Sequence, residues 1–442
     1  MVVGDLATNI DVLVLGAGPG GCTAALRAAQ LGKEVVLVDP APPGGSLSER
    51  ILPTKILLDA AQQFWQIPSW TERGINLGKP ELSWSQIQTW KNSQVEAARA
   101  EIKRQLDQQQ VEVVAGQGWF LAENEARIEA EYGAKRYLFD YAVIAVGAEP
   151  APWPNLPFDG ERVLTPTQAL ALTEFPQSLS IVGADYLAAE LATLFVKLGA
   201  AVHLLLPTGQ RLLSEFDPAA GQIAQARLQE LGVEIDSNLS GLKDLTGLIV
   251  VSAGLTPRPA NLGLDKARVA AGADGFIQVN ERQRTSNPAI YAAGAVTGAL
   301  PLAHVANKQG QVAAENIAGR IAQFMPQAIP HVAYTDPPVA TVGLTTAEAE
   351  AAGYHVSCST FNLQHSTHSS AGGFIQLLAE QGSEVLLGVT ITGPQADILI
   401  GEAALALEMG ATLTDLAETL HPAAGEALAR AAEAAMGILV HR

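Results

Sequence analysis

Residues 11–39, DVLVLGAGPGGCTAALRAAQLGKEVVLVD, decide the fold. In DVLVL at 11–15, Asp11 is followed by a continuous apolar run at 12–15, the pattern of a strand buried on both faces of a parallel sheet. A glycine loop follows, then CTAALRAAQL, rich in helix formers and closed by Gly32, then EVVLVD, a second buried strand ending in Asp39. Strand, helix and strand make one βαβ unit. In the loop Gly16-Ala17-Gly18-Pro19-Gly20-Gly21, one glycine permits the tight turn and the second lets backbone approach a pyrophosphate. The third lets the helix pack on the strand. Phosphates would sit on the N–H groups and positive end of the helix beginning near Gly20. Asp39 is placed to accept hydrogen bonds from a ribose.

Working outward, SLSIVGADYLAAELATLFVKLGAAVHLLLP at 178–207 repeats the pattern about 170 residues later. Two such units so far apart imply two nucleotide-type domains. Between them, residues 56–110 read as largely helical, with EAARAEIKRQLDQQQ the clearest amphipathic stretch. All six tryptophans precede residue 154 and read as core and helix-contact aromatics. From residue 331 apolar segments such as FIQLLAE and SEVLLGVTITG, then two helices, suggest an α+β domain. The chain divides near 150, 270 and 330.

Composition narrows the class. At roughly 150 residues per domain, 442 residues make about three domains. The chain is 48% apolar and 16% charged, which excludes a disordered protein. Twenty-seven basic residues against 45 acidic give a net charge of −18, a field that repels nucleic acid and anionic membrane surfaces. Cys22 and Cys358 are too few for a disulfide scaffold. The best apolar run, 187–206, is broken by Glu190 and Lys197, and MVVGDLATNID has no basic lead-in for a signal peptide. A cytoplasmic protein is expected. His365 and His368 have HxxH spacing, but no neighbouring Cys or acid completes a site, so no metal is expected.

Seven segments in order now carry a resemblance: the loop at 16–21, PGGSLSERILPTK at 43–55, YAVIAVGAEP at 141–150, TSNPAIYAAGAVTG at 285–298, LPLAHVANKQG at 300–310, YTDPPVATVGLT at 334–345 and HPAAGE at 421–426. Over nearly its full length the chain resembles the flavin-dependent pyridine nucleotide–disulfide oxidoreductases, especially the dihydrolipoamide dehydrogenases. The resemblance implies an α/β fold of two Rossmann-like βαβ nucleotide-binding domains plus a C-terminal α+β dimerisation domain. Residues 1–150 would be the FAD-binding domain, 151–270 an NAD(P)-binding-like domain and 271–330 a central segment completing the FAD domain. Residues 331–442 would be the interface domain of a homodimer. It further implies Lys55 paired with Glu190 near the flavin ring, and backbone at Leu302, Ala303 and His304 near its pyrimidine. Gly116 or Gly118 and the Ala145-Val146-Gly147 turn would approach the adenine side and domain junction. His421 and Glu426 match a His–Glu dyad whose acid orients the imidazole as a base toward the partner's thiol, although LAETLHP is two residues shorter than usual.

The departures carry more information. The family's two redox cysteines fall on Ser46 and Ile51, which cannot shuttle two electrons, and Cys22 and Cys358 lie elsewhere. The second glycine loop reads Gly183-Ala184-Asp185-Tyr186-Leu187-Ala188, with an acid in place of the phosphate-facing glycine. Leu206 and Pro207 stand where a ribose-binding acid or base is expected, so a structural remnant is expected there and NAD(P) binding is doubtful. Ala295 replaces an Asp that bonds the ribityl chain, a loss on the order of 1 kcal/mol. The expected activity is that of a FAD oxidoreductase without a thiol relay, passing electrons between flavin and a small acceptor such as a quinone. The competing reading is a non-catalytic dimer that binds FAD structurally, or a partner such as a lipoyl-bearing protein.

Overall fold

The computed structural model describes residues 7–131, 133–237, 247–258, 261–363, 373–421 and 425–438. The chain folds as two units, one drawn from the spans 1–53, 86–151 and 254–325, the other from 54–85, 152–253 and 326–442.

In the first unit, the stretch that opens the chain forms the strand Thr8–Leu15, the helix Pro19–Gln30 and the strand Val35–Asp39. Gly32, with φ 82°, takes the left-handed turn that ends the helix. Val12, Leu13 and Val14 are wholly buried, each worth about 1.5–3 kcal/mol over exposure. The apolar run is continuous because both sheet faces are covered. Val12, Val14 and Leu37 pack with Ala24, Ala25 and Ala28, whereas Leu13, Leu15 and Val36 pack with Phe120, Tyr137 and Phe139.

Val12 pairs in parallel with Val35 on one edge and with Tyr141 of the strand Gly133–Ile144 on the other. The strand Glu112–Ala122 extends the sheet beyond Val35–Asp39, and Ile290–Ala292 extends it beyond Gly133–Ile144. The antiparallel strand Glu125–Ala130 joins Glu112–Ala122 to Gly133–Ile144. The chain re-enters this unit at Gly254, ahead of the division expected near 270.

The second unit holds a parallel sheet in the order Glu234–Asp236, Ala201–Leu205, Ser178–Val182, Leu248–Val251, Val163–Leu164. Its helix Tyr186–Lys197 is buried at every position after the first. An antiparallel five-stranded sheet follows, in the order His331–Ala333, Val339–Gly343, Leu386–Thr392, Phe374–Glu380, Val356–Asn362. Ile375, Leu377 and Ile391 pack there with Leu399 of the helix Ala396–Glu408 and Leu428 of the helix Glu426–Ala435. Residues 56–110 are largely helical, as Leu52–Trp70 and Trp84–Gln108 with a non-helical stretch at 74–83 between them, but the span 54–85 belongs to the second unit. Among the described residues no helix is long and apolar enough to cross a membrane.

Candidate functional site

In the first unit the glycine loop joins strand Thr8–Leu15 to helix Pro19–Gln30. Gly16 takes φ 103°, and a Cβ there would meet the Ala145 carbonyl oxygen at 2.3 Å. A Cβ on Gly21 would stand 1.8 Å from the Gly16 oxygen, so the helix seats directly on the strand. Gly20 lies where a second helix, Ala303–Ile317, crosses the first; a Cβ there would approach the Ala306 oxygen at 3.1 Å. Gly18 differs from all three. Nothing lies within 4 Å of a Cβ built on it, so its backbone borders open space.

Helix Pro19–Gln30 starts at Gly18 without a side-chain cap, and helix Ala303–Ile317 starts at Leu302 without one. Two positive helix ends thus lie side by side with their first N–H groups uncapped by side chains, an arrangement that favours an anion. Asp39 ends the neighbouring strand. Its carboxylate accepts the Ala17 N–H at 2.7 Å and the Ala41 N–H at 2.8 Å. A carboxylate has about four acceptor positions, so two remain for ribose hydroxyls. The donor set and the open cradle fit a dinucleotide.

Around this cradle, the Ala145 N–H donates to the Leu15 carbonyl at 2.7 Å, and Gly147 turns the chain left-handed at φ 76°. Gly118 owes its identity to packing, because a Cβ would meet Ile128 and Leu15 side chains at 2.6 and 2.7 Å. Ala295 opens a short turn after Gly294, whose N–H donates to the buried Gln309 amide oxygen at 2.7 Å. Ala303 is the first residue of its helix. The segment 44–51 lies against the loop, a Cβ on Gly45 falling 2.8 Å from Gly18 Cα. There Ser46 is exposed and precedes the π-helical turn Leu47–Ile51.

That turn buries Ser48, whose hydroxyl has no hydrogen-bond partner among the described residues; spacing alone did not single it out. Both cysteines are free. The Cys22 thiol donates to the Ala17 oxygen at 3.0 Å, and burial pushes its pKa up to about 12. Cys358 is exposed on the outer strand of the antiparallel sheet.

The second glycine loop has the same framework with opposite contents. Asp185 caps the helix Tyr186–Lys197, accepting the Ala188 N–H at 2.9 Å, and the Ser252 hydroxyl donates to the same carboxylate at 2.8 Å. Glu215 accepts the Tyr186 N–H at 2.7 Å. Although Glu215 keeps exposed surface, desolvation of its carboxyl pushes it above its ordinary range, and the Asp185 charge pushes the same way. Arg211 holds the loop that presents Glu215, donating to the Leu213, Ser214 and Phe216 carbonyls at 3.0, 3.1 and 2.6 Å. The Leu213 N–H closes onto the Ala184 oxygen at 2.8 Å. Two carboxylates therefore occupy the N–H groups at a helix end where a pyrophosphate would bind. Leu206 is buried at the following strand end, its N–H given to Asp236.

Elsewhere in this unit Lys55 Nζ reaches Glu190 Oε1 at 2.9 Å and stands 3.2 Å from the centre of the Tyr334 ring. Glu190 is 1% exposed and also accepts the Tyr334 N–H at 3.0 Å.

The dyad expected from His421 and Glu426 is not formed within the chain. His421 Nε2 lies 2.5 Å from Glu402 Oε1, its Nδ1 lies 2.9 Å from the Thr419 oxygen, and Glu426 instead accepts from Arg430 at 2.7 Å. Glu402 belongs to the helix Ala396–Glu408, 19 residues earlier, a pairing no local spacing reveals. His365 and His368 lie outside the described residues. Among those described, no cluster of His, Cys, Asp and Glu could hold a metal ion.

Comparison with known proteins agrees with this architecture. The family model described as pyridine nucleotide-disulphide oxidoreductase matches residues 10–310, and the corresponding dimerisation-domain model matches 329–432. The dihydrolipoyl dehydrogenase of Haloferax volcanii is 34% identical, covering 100% of this chain and 99% of its own. That of Geobacillus stearothermophilus is also 34% identical over the same shares. The crystal structure of LpdA from Mycobacterium tuberculosis superposes with a TM-score of 0.87 at 25% identity, covering 97% of this chain and 99% of that one. The flavoprotein disulfide reductase RclA from Escherichia coli, at 20% identity and a TM-score of 0.84 over 97% and 99%, shares the fold. With the family model spanning both βαβ units and its dimerisation partner spanning the C-terminal sheet, the chain belongs to the pyridine nucleotide-disulphide oxidoreductases.

Proposed function

We propose that this chain is a FAD-binding oxidoreductase that works without a thiol relay, passing electrons directly between the flavin and a small acceptor such as a quinone. The observation that carries this reading is the pairing of an intact first cradle with Ser46 and Ile51 at the redox positions. Bound FAD supplies two-electron redox chemistry. Gly18 leaves room for its pyrophosphate, the helix ends near Gly20 and Ala303 place positive potential beside it, and Asp39 receives ribose hydroxyls. Cys22 offers no substitute relay, since a thiol held near a pKa of 12 stays protonated at neutral pH. The second nucleotide domain serves as scaffold, its phosphate position taken by Asp185 and Glu215.

We further propose a homodimer formed through the dimerisation domain. Ile398, Leu405 and Met409 share one stripe of the helix Ala396–Glu408 and the residue after it, and are 70%, 64% and 76% exposed. That stripe passes Glu402, so dimer formation would cover the His421–Glu402 pair.

A second reading, a non-catalytic FAD-binding dimer, draws support from the self-capped second loop. One experiment separates the two. The visible spectrum of the purified protein is recorded, the flavin is reduced anaerobically with dithionite, and a soluble quinone is added. The proposal expects a flavin spectrum, rapid reoxidation by the quinone, and two titratable thiols in unfolded protein both before and after reduction. A reduced flavin that the quinone cannot reoxidise favours the second reading. Absence of flavin even after reconstitution, or thiols that appear only on reduction, overturns the proposal.

A further inference from the structure

Beside the start of the strand Ile290–Ala292 and the C-terminal end of the helix Ala303–Ile317 lies a cavity of about 640 Å³ whose lining includes Arg282, Arg284, Arg320, Tyr141, Tyr291 and Asp140. Its charge runs against the rest of the molecule. Acids outnumber bases 45 to 27 along the chain, yet three guanidinium groups share this cavity with one carboxylate. None of the three arginines closes an ion pair among the described residues. Glu315, the other acid whose charge Arg320 feels, is already held by Arg27 at 2.8 and 3.1 Å. Three cations with a single carboxylate, Asp140, among them leave the cavity with an excess of positive charge, which a bound anion offsets.

The walls are fixed in advance. Arg284 Nε donates to the Pro288 oxygen at 3.0 Å, and the Asn280 side chain accepts the Arg282 and Arg284 N–H groups at 3.0 and 3.1 Å. The Phe324 N–H donates to the Glu281 oxygen at 2.7 Å, tying the segment after the helix Ala303–Ile317 to the arginine turn. Asn316 donates to the Val312 and Ala322 oxygens, both at 2.8 Å, and keeps that segment folded. Tyr291 is buried and its ring centre lies 6.5 Å from that of half-buried Tyr141, inclined at 56°, giving the cavity an aromatic wall.

We propose that this cavity binds a phosphorylated planar molecule of mononucleotide size, separate from the dinucleotide of the glycine loop. Guanidinium forks match phosphate oxygens, flat rings stack on tyrosine and arginine faces, and the volume lies within the range of small-molecule sites. The probes are ADP, adenosine and inorganic pyrophosphate, titrated by calorimetry into the full-length protein saturated with FAD, so that the first cradle is filled. Arg282→Ser and Arg320→Ser are the test variants because their side chains make no hydrogen bond among the described residues. ADP is expected to bind, and the double variant to weaken it at least tenfold without a change in melting temperature. Pyrophosphate should bind more weakly than ADP and lose affinity in the same variant, while adenosine alone should give no measurable heat. No ADP binding, or equal ADP affinity in wild type and double variant, overturns the site. Pyrophosphate binding as tightly as ADP overturns the planar-ring requirement and with it the mononucleotide assignment.

Discussion

Replacing Asp185 by Gly and Glu215 by Gln tests the reading of the second nucleotide domain most directly. Both carboxylates take backbone N–H groups at the start of the helix Tyr186–Lys197, so each would stand within a few ångströms of an incoming pyrophosphate. At about 4 Å and an effective dielectric near 20, each like-charge pair costs about 4 kcal/mol. If screening and side-chain rotation remove half, about 2 kcal/mol remains per carboxylate, or roughly thirtyfold in affinity. Asp185→Gly should therefore tighten NADH by about thirtyfold, and the double variant by more, although Leu206 still offers the ribose no acid. The assay is NADH titration of FAD-loaded protein at pH 8, with anaerobic stopped-flow of the flavin band. Rapid reduction of the unaltered flavin by micromolar NADH, or a double variant less than threefold tighter, would refute the reasoning. Glu215→Gln alone carries a control on the cause. Desolvation of its carboxyl and the Asp185 charge hold the folded-state pKa of Glu215 above its unfolded value, although the residue keeps exposed surface. The ionised side chain therefore costs stability as pH rises from the ordinary glutamate range through that raised pKa. The variant's gain in melting temperature should be absent in acid, grow across that window and stay constant above it.

Two further outcomes follow from the second unit. Glu190→Ala should cost about 2 kcal/mol in denaturant unfolding, below the usual loss for a broken buried pair because Lys55, 31% exposed, can turn to water; a loss under 0.5 kcal/mol would show that the pair contributes little. Leu405→Glu with Ile398→Glu should convert a sedimenting dimer to monomer at micromolar protein while the fold persists by circular dichroism; an unchanged dimer would place the interface elsewhere.

Local chemistry was the part of this molecule legible in the sequence. The run Val12–Leu15, the three closing glycines and Gly32 each act through near neighbours, and the structure places strand, helix and strand within a few residues of that reading. Contacts that span the chain were not legible. Ser252 reaches Asp185 across 67 residues and Glu215 reaches Tyr186 across 29, so the sequence shows an acid in a glycine's place but not the groups that accommodate it. His421 illustrates the same limit. HPAAGE at 421–426 offers Glu426 as a neighbour, but Glu402 on another helix takes the ring nitrogen. The span 54–85 is helical by its pattern, and periodicity says nothing about which core a helix joins.

Set side by side, the two glycine loops show how a ligand site and a self-satisfied helix end differ. An anion-binding helix terminus must keep N–H groups uncapped in the empty protein, which forgoes the roughly 1 kcal/mol that a capping side chain contributes. Gly18 fits that state, with open space over its backbone and no side-chain cap. Asp185 fits the other: the cap is built in, a serine hydroxyl supports it, and Glu215 takes a further N–H group. The apolar strands Ser178–Val182 and Leu248–Val251 and the buried helix between them keep the second domain folded whether or not a nucleotide binds. Filling the phosphate position from within therefore needs no change in the core, and in the proposed reading it leaves two carboxylates to repel a dinucleotide where the first loop offers uncapped N–H groups. The first loop could not take the same step without closing the cradle on which flavin binding depends.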